Sequence, residues 1–151
     1  YQFIRGADPS AWWSALGYTG AYALMCPGWV PGLTGNGNQE FRETYASTYD
    51  TDGEYIAANV GGSYNLTQVA QQAVAAADSV EPEAIRDALR NEEFQTVIGT
   101  FSFEDNGLPA EGELIAPTGQ WWDGAQRLAF PNTESERALD FKYPIPAWSE
   151  R

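Results

Sequence analysis

Hydrophobic positions along this chain switch repeatedly between the period of a strand and the period of a helix. Residues 2–5 read as a short strand, and Gly6-Ala7-Asp8-Pro9 follows as a turn. Asp8 is suited to cap a helix that has Pro9 at its first position, continues through Ser10–Leu16 and stops at Gly17. Trp12 and Trp13 are neighbours on that helix, so one is expected in the core and the other partly exposed. Tyr22–Met25 read as a buried strand, and Pro27–Gly37 as a Gly- and Pro-rich loop around Trp29. Residues 38–49 carry Phe41, Tyr45 and Tyr49 on one helical stripe, which Asp50-Thr51-Asp52-Gly53 terminates. The clearest helix runs from Ser63 to Ala77, with Leu66, Val69, Ala70, Ala73, Val74 and Ala77 at helical spacing. Its small alanines suit close packing on a sheet, and Gly61-Gly62 stand at its entrance, where a backbone can approach closely.

A further helix opens at Glu81-Pro82-Glu83, with acid at its positive end, and turns Ile85, Ala88 and Leu89 inward. A Thr96-Val97-Ile98-Gly99 turn precedes a strand in which Phe101 and Phe103 alternate with Ser102 and Glu104, ending at Asp105-Asn106-Gly107. Residues 113–130 read as a hairpin built from Leu114-Ile115, Trp121-Trp122 and Leu128-Ala129-Phe130, with Asp123-Gly124 as its turn. From Pro131 the tail is expected to be extended on the surface, anchored by Trp148. Helices alternating with strands predict an α/β sandwich, mostly parallel at its centre, with a C-terminal antiparallel hairpin.

Composition narrows the function. The 151 residues suffice for a domain with a core, and no apolar run reaches the roughly 18–20 residues of a membrane span. The net charge is −13, with a single lysine, Lys142, which opposes binding to nucleic acid or to anionic lipid. Solubility, in a saline habitat that screens repulsion, is the simpler reading of this acidity than a cationic ligand. The chain opens on Tyr1-Gln2-Phe3-Ile4-Arg5, the inside of a strand, with no leader sequence, as expected of a processed chain or a fragment.

Candidate catalytic chemistry is sparse. Cys26 is the sole cysteine and there is no histidine, so no thiol–imidazole pair exists, and a small buried residue at a strand end is the expected role of Cys26. Asp50–Gly53 lacks the alternating acids and distant Glu of a calcium loop. Glu92-Glu93 reads as a solvated charge run at a helix end. A hydrolase built on Asp8 or Glu104 has neither a histidine nor a nucleophile elbow to support it. P-loop, dinucleotide and metal-ligand signatures are absent, so neither cofactor nor metal is expected.

Several segments, taken in order, resemble one family. Phe3–Gly20 has its strand, turn and helix, and Trp29-Val30-Pro31 its W-x-P loop. Phe41–Tyr49 is similar to its aromatic helix, and Ala57–Ala77 to its alanine-rich crossover helix. Glu81–Gly107 and Gln120-Trp121-Trp122-Asp123-Gly124, with Pro131, complete the match. The chain thus resembles the C-terminal half of a type I periplasmic solute-binding protein of an ABC importer, of the branched-chain amino acid and amide type. The resemblance implies a three-layer α/β fold, a mostly parallel sheet with helices on both faces. It also implies a chain that alternates between two lobes: residues 1–53 in the second lobe, 54–95 as first-lobe crossover helices, and 96–151 back in the second. The family's first half would then be a missing partner.

By the same resemblance, two segments face the cleft. One is the turn Gly6-Ala7-Asp8-Pro9, where an acid pairs with a ligand ammonium; Asp8 is the only acid there, and helix capping is its alternative or additional role. The other is Gly61-Gly62-Ser63-Tyr64, where a helix N-terminus offers free N–H groups to a carboxylate or carbonyl and an aromatic can wall the pocket. The plainer alternatives are Ser63 as an N-cap and Tyr64 as core. The implied role is non-enzymatic: an extracytoplasmic, periplasmic subunit, its signal peptide removed, that captures a small amino acid, amide or carboxylate and passes it to an ABC permease. A ligand-sensing domain of a receptor or regulator is the alternative; an ending such as Trp148–Arg151 resembles that of the free binding protein.

Overall fold

A computed structural model describes residues 5–51, 55–131, 138 and 140–151. Helix α1 spans Ala11–Leu16, α2 Asn38–Tyr49, α3 Ala58–Ala77 and α4 Pro82–Asn91. Strand β1 is Leu24–Met25, β2 Glu93–Thr96, β3 Gly99–Ser102, β4 Thr118–Trp122 and β5 Ala125–Phe130. Among the described residues no helix is long and apolar enough to cross a membrane.

The α/β class holds, but the strand directions differ from the expectation. One sheet has the order β1-β4-β5 and the other pairs β2 with β3, and every pairing between these strands is antiparallel. The reason is local. Only Val97-Ile98 separate β2 from β3, and a parallel pair needs a crossover of a dozen residues or more. One parallel bridge does occur, isolated, between Leu128 and Ala138. The expected first strand, residues 2–5, falls almost wholly outside the described residues, and Arg5–Ala7 form a 3-10 turn.

The β4–β5 hairpin turns on Asp123 (φ 44°) and Gly124 (φ 86°), two successive left-handed residues that match the twist of the flanking strands. The first expected hairpin segment, Leu114-Ile115, stays outside the sheet. At β1 only Leu24 and Met25 pair, opposite Gln120 and Gly119, and Cys26 is exposed rather than buried. Pro82 sits in the first turn of α4, with Glu81 as the preceding cap residue. The tail differs from its prediction too. Trp148 lies in a short 3-10 turn and is 67% exposed rather than inserted into the core; it stacks at 4.1 Å on the Arg151 guanidinium, which donates to Ala21 O at 3.4 Å.

Three apolar clusters hold these elements. Ala7, Met25 and Trp121 form one, with Trp12, Trp13 and Tyr55 against it. Val69, Ala73, Phe94 and Phe101 form the second, under Ile85 and Leu89 of α4. Trp29, Phe41, Ile56 and Val97 form the third. The edge of β2 is covered by side-chain amides of α3. Gln72 donates to the Gln95 carbonyl (2.9 Å) and accepts from the Gln95 N–H (3.1 Å), while Gln68 accepts from the Val97 N–H (2.9 Å). An exposed strand edge is a template for unwanted pairing, and these two glutamines, one helical turn apart, occupy it.

Candidate functional site

The turn at Ala7-Asp8 is held by side chains from three distant positions. Ala7 is fully buried and Asp8 nearly so, at 6% exposure, whereas Pro9 is exposed. Three side chains donate to the backbone carbonyls here. The Trp121 indole N–H reaches Ala7 O at 2.8 Å, Gln126 Nε2 reaches Asp8 O at 2.7 Å, and the Tyr55 hydroxyl also donates to Asp8 O. Each such bond contributes about 0.5–1.5 kcal/mol net, so the turn is ordered before any ligand arrives. Trp121 is itself stacked between Trp13 (6.1 Å) and Tyr55 (5.9 Å). Burial pushes the Tyr55 phenol up from 10.0 to about 12, and the nearby charge of Asp8 adds to the effect.

The helix-capping expectation for Asp8 and Pro9 is corrected. The first turn of α1 begins at Ala11 after Ser10, and the Trp12 N–H bonds Pro9 O at 2.9 Å, which leaves Pro9 before the helix. Gly17 ends α1 as expected, at φ 51°. Trp12 and Trp13 are both half-buried rather than one in and one out, and both pack against the cluster of Ala7, Met25 and Trp121. The Trp12 indole donates to Gly20 O at 2.8 Å, while Trp13 stacks on Trp121.

The second segment is displaced relative to its helix. α3 begins at Ala58, five residues before Ser63, so Gly61, Gly62, Ser63 and Tyr64 lie within the helix and not at its entrance. Helix geometry assigns the unpaired N–H groups to the first turn, around Ala58 and Asn59. Ser63 is therefore not an N-cap; its carbonyl accepts the Thr67 hydroxyl at 3.1 Å. Gly61 is buried because Trp29 lies on it: a Cβ at Gly61 would fall 2.2 Å from Trp29 Cδ2. Gly62 and Ser63 are exposed and, with Cys26, Pro27, Ala58 and Asn59, line a cleft of about 430 Å³. Tyr64 is 42% exposed and stacks on Phe41 with ring centres 4.4 Å apart.

The two segments are linked through β1 and the residue after it. Met25 packs with Ala7, and the next residue, Cys26, lines the cleft of Gly62 and Ser63. A family model described as periplasmic binding protein matches residues 3–116, three quarters of the chain and both candidate segments. The chain belongs to the periplasmic binding protein family. Its coarse role follows: this periplasmic binding protein binds a small solute, outside the cytoplasm, and the family's work is binding rather than turnover.

Reading the sequence missed Tyr55 and Gln126, the residues that grip Asp8 from distant parts of the chain. Gln126 carried one usable signal, as a glutamine beside the Asp123-Gly124 turn in a strand that continues to Leu128-Ala129-Phe130; its side chain is fully buried in the fold. Tyr55 carried none, since its partner lies 47 positions earlier.

Proposed function

We propose that this chain is the binding subunit of an ABC importer that captures a small amino acid, amide or carboxylate and delivers it to a permease. The observation that carries this reading is the family match across both candidate segments, residues 6–9 and 61–64. In this reading Asp8 pairs with the ligand ammonium on a turn already fixed by Trp121, Gln126 and Tyr55. The first turn of α3, beside Gly62 and Ser63, receives the ligand carboxylate or carbonyl through its unpaired N–H groups. Ala7, Pro9, Gly61 and Tyr64 shape the surrounding walls. Closure of two lobes around the solute then supplies desolvation.

The lobes proposed are residues 1–53 and 96–151 on one side and 54–95 on the other, completed by the N-terminal half of the same protein. One feature supports this division: the buried residues Ala7, Met25 and Trp121 of one cluster come from the first and last segments. The other two clusters join the segments, through Phe94 with Phe101 and through Ile56 with Trp29, Phe41 and Val97. The β2–β3 hairpin carries the chain across the later boundary.

Isothermal titration with a panel of amino acids, amides and carboxylates tests the proposal, with Asp8→Asn as the variant. A desolvated charge-assisted hydrogen bond is worth about 2–3 kcal/mol, so the variant is expected to bind an amino acid roughly 30- to 150-fold more weakly. Amino acid binding that is indifferent to Asp8→Asn would remove Asp8 from the site. A panel with no binder at all would remove the proposed ligand class.

A further inference from the structure

A second cleft, of about 530 Å³, lies between α2 and α3. Its size is that of a small-molecule site. Four aromatic rings run along it in mutual contact. Tyr64 stacks on Phe41 at 4.4 Å, Phe41 meets Tyr45 at 6.4 Å, and Tyr45 meets Tyr49 at 4.6 Å. Packing accounts for Phe41, which is buried under Trp29. It does not account for Tyr49 and Tyr64, which remain 64% and 42% exposed while lining the cleft.

The charge of the cleft selects the occupant. Among the described residues, Glu40 is the only charged side chain on its walls, and neither lysine nor arginine lines it. Aromatic faces carry negative potential, and a carboxylate adds to it, so an anion is disfavoured and a cation attracted. Threonine hydroxyls at 44 and 48 continue the row that begins at Glu40, one turn apart on α2, so the wall is too polar for a purely apolar guest. We propose that this cleft binds a small organic cation of the alkylammonium class, seated on the tyrosine rings and paired with Glu40. The cleft adjoins the site proposed for the transported solute and shares Ser63 and Tyr64 with it, whereas Glu40 and Tyr49 lie outside the segments assigned to that ligand.

Isothermal titration at low salt with choline, and with its neutral isostere 3,3-dimethyl-1-butanol, tests this directly. Choline is expected to bind about 5- to 30-fold more tightly than the isostere, the range a partly desolvated cation–π contact supplies. Glu40→Gln and Tyr49→Leu are each expected to weaken choline about 3- to 10-fold, with the thermal melt unchanged and affinity for the isostere unmoved by Glu40→Gln. Equal binding of the two probes would overturn the proposal, as would no choline binding, or choline affinity untouched by both variants. None of these results bears on the Asp8 site, whose amino acid titration is a separate measurement.

Discussion

Replacing Gly61 with alanine is expected to destabilise the protein, and replacing its neighbour Gly62 to stabilise it. Both lie in the second turn of α3, where alanine is favoured over glycine by about 1 kcal/mol on intrinsic preference alone. At Gly61 the added Cβ would meet Trp29 Cδ2 at 2.2 Å and Cγ at 2.4 Å, against about 3.5–4.0 Å for an ordinary carbon contact. The ring cannot turn aside cheaply. Its indole N–H donates to Asn38 Oδ1 at 3.0 Å, and Asn38 in turn donates to the Val97 carbonyl, all of it buried. Overpacking of this kind costs about 1–3 kcal/mol, and breaking the indole bond leaves a buried donor at about 1–3 kcal/mol more. After the helix gain is subtracted, Gly61→Ala should lose about 1–5 kcal/mol. At Gly62 a Cβ meets nothing within 4 Å, so Gly62→Ala should gain about 0.4–1 kcal/mol. Urea unfolding, followed by tryptophan fluorescence and far-ultraviolet circular dichroism, reads both at unchanged slope. A Gly61→Ala midpoint at or above that of the parent would refute the packing of α3 on Trp29. A Gly62→Ala midpoint below the parent would refute the helix start at Ala58.

Two other perturbations follow from the same structure. Because the Tyr55 phenol titrates at about 12 when folded and near its ordinary 10.0 when unfolded, the folded chain keeps a proton that the unfolded chain loses between those values. Stability from this group is therefore complete below pH 10 and lost as the pH rises through about 12; the urea-midpoint difference between the parent and Tyr55→Phe should shrink across that window, and a flat difference would contradict it. Gln72→Ala removes both bonds to Gln95 on the β2 edge, and should cost about 1–2 kcal/mol while speeding amide exchange at Gln95; unchanged exchange there would mean that the edge is protected by something else.

What could be read from the sequence divides by range. The span of α2 was legible because its stops are local: Gly35 and Gly37 before it, and Asp50 in the left-handed conformation after it. The β4–β5 turn was legible for the same reason, since Asp123-Gly124 names its own geometry. The start of α3 was not. Gly61-Gly62 resembles a helix boundary, yet Gly61 is a glycine because Trp29, 32 positions earlier, needs its face, and a local pattern holds no trace of that partner. The antiparallel pairing of β2 and β3 was overlooked because Glu92-Glu93 read as a charge run, although Phe94 and Thr96 alternate inward from it. At the candidate site, Asp8 could be singled out as the only acid in its turn. The grip of Tyr55 and Gln126 on that turn depends on contacts across 47 and 118 positions, which only the fold discloses.

The central claim is that this periplasmic binding protein binds a small solute, proposed above to be an amino acid, amide or carboxylate. Native mass spectrometry of the purified protein, in an equimolar mixture of amino acids, amides and carboxylates, tests it most directly. The account predicts a native mass that exceeds the denatured mass by a small adduct whose mass falls in the panel. A native mass equal to the denatured mass at saturating panel concentrations would contradict it.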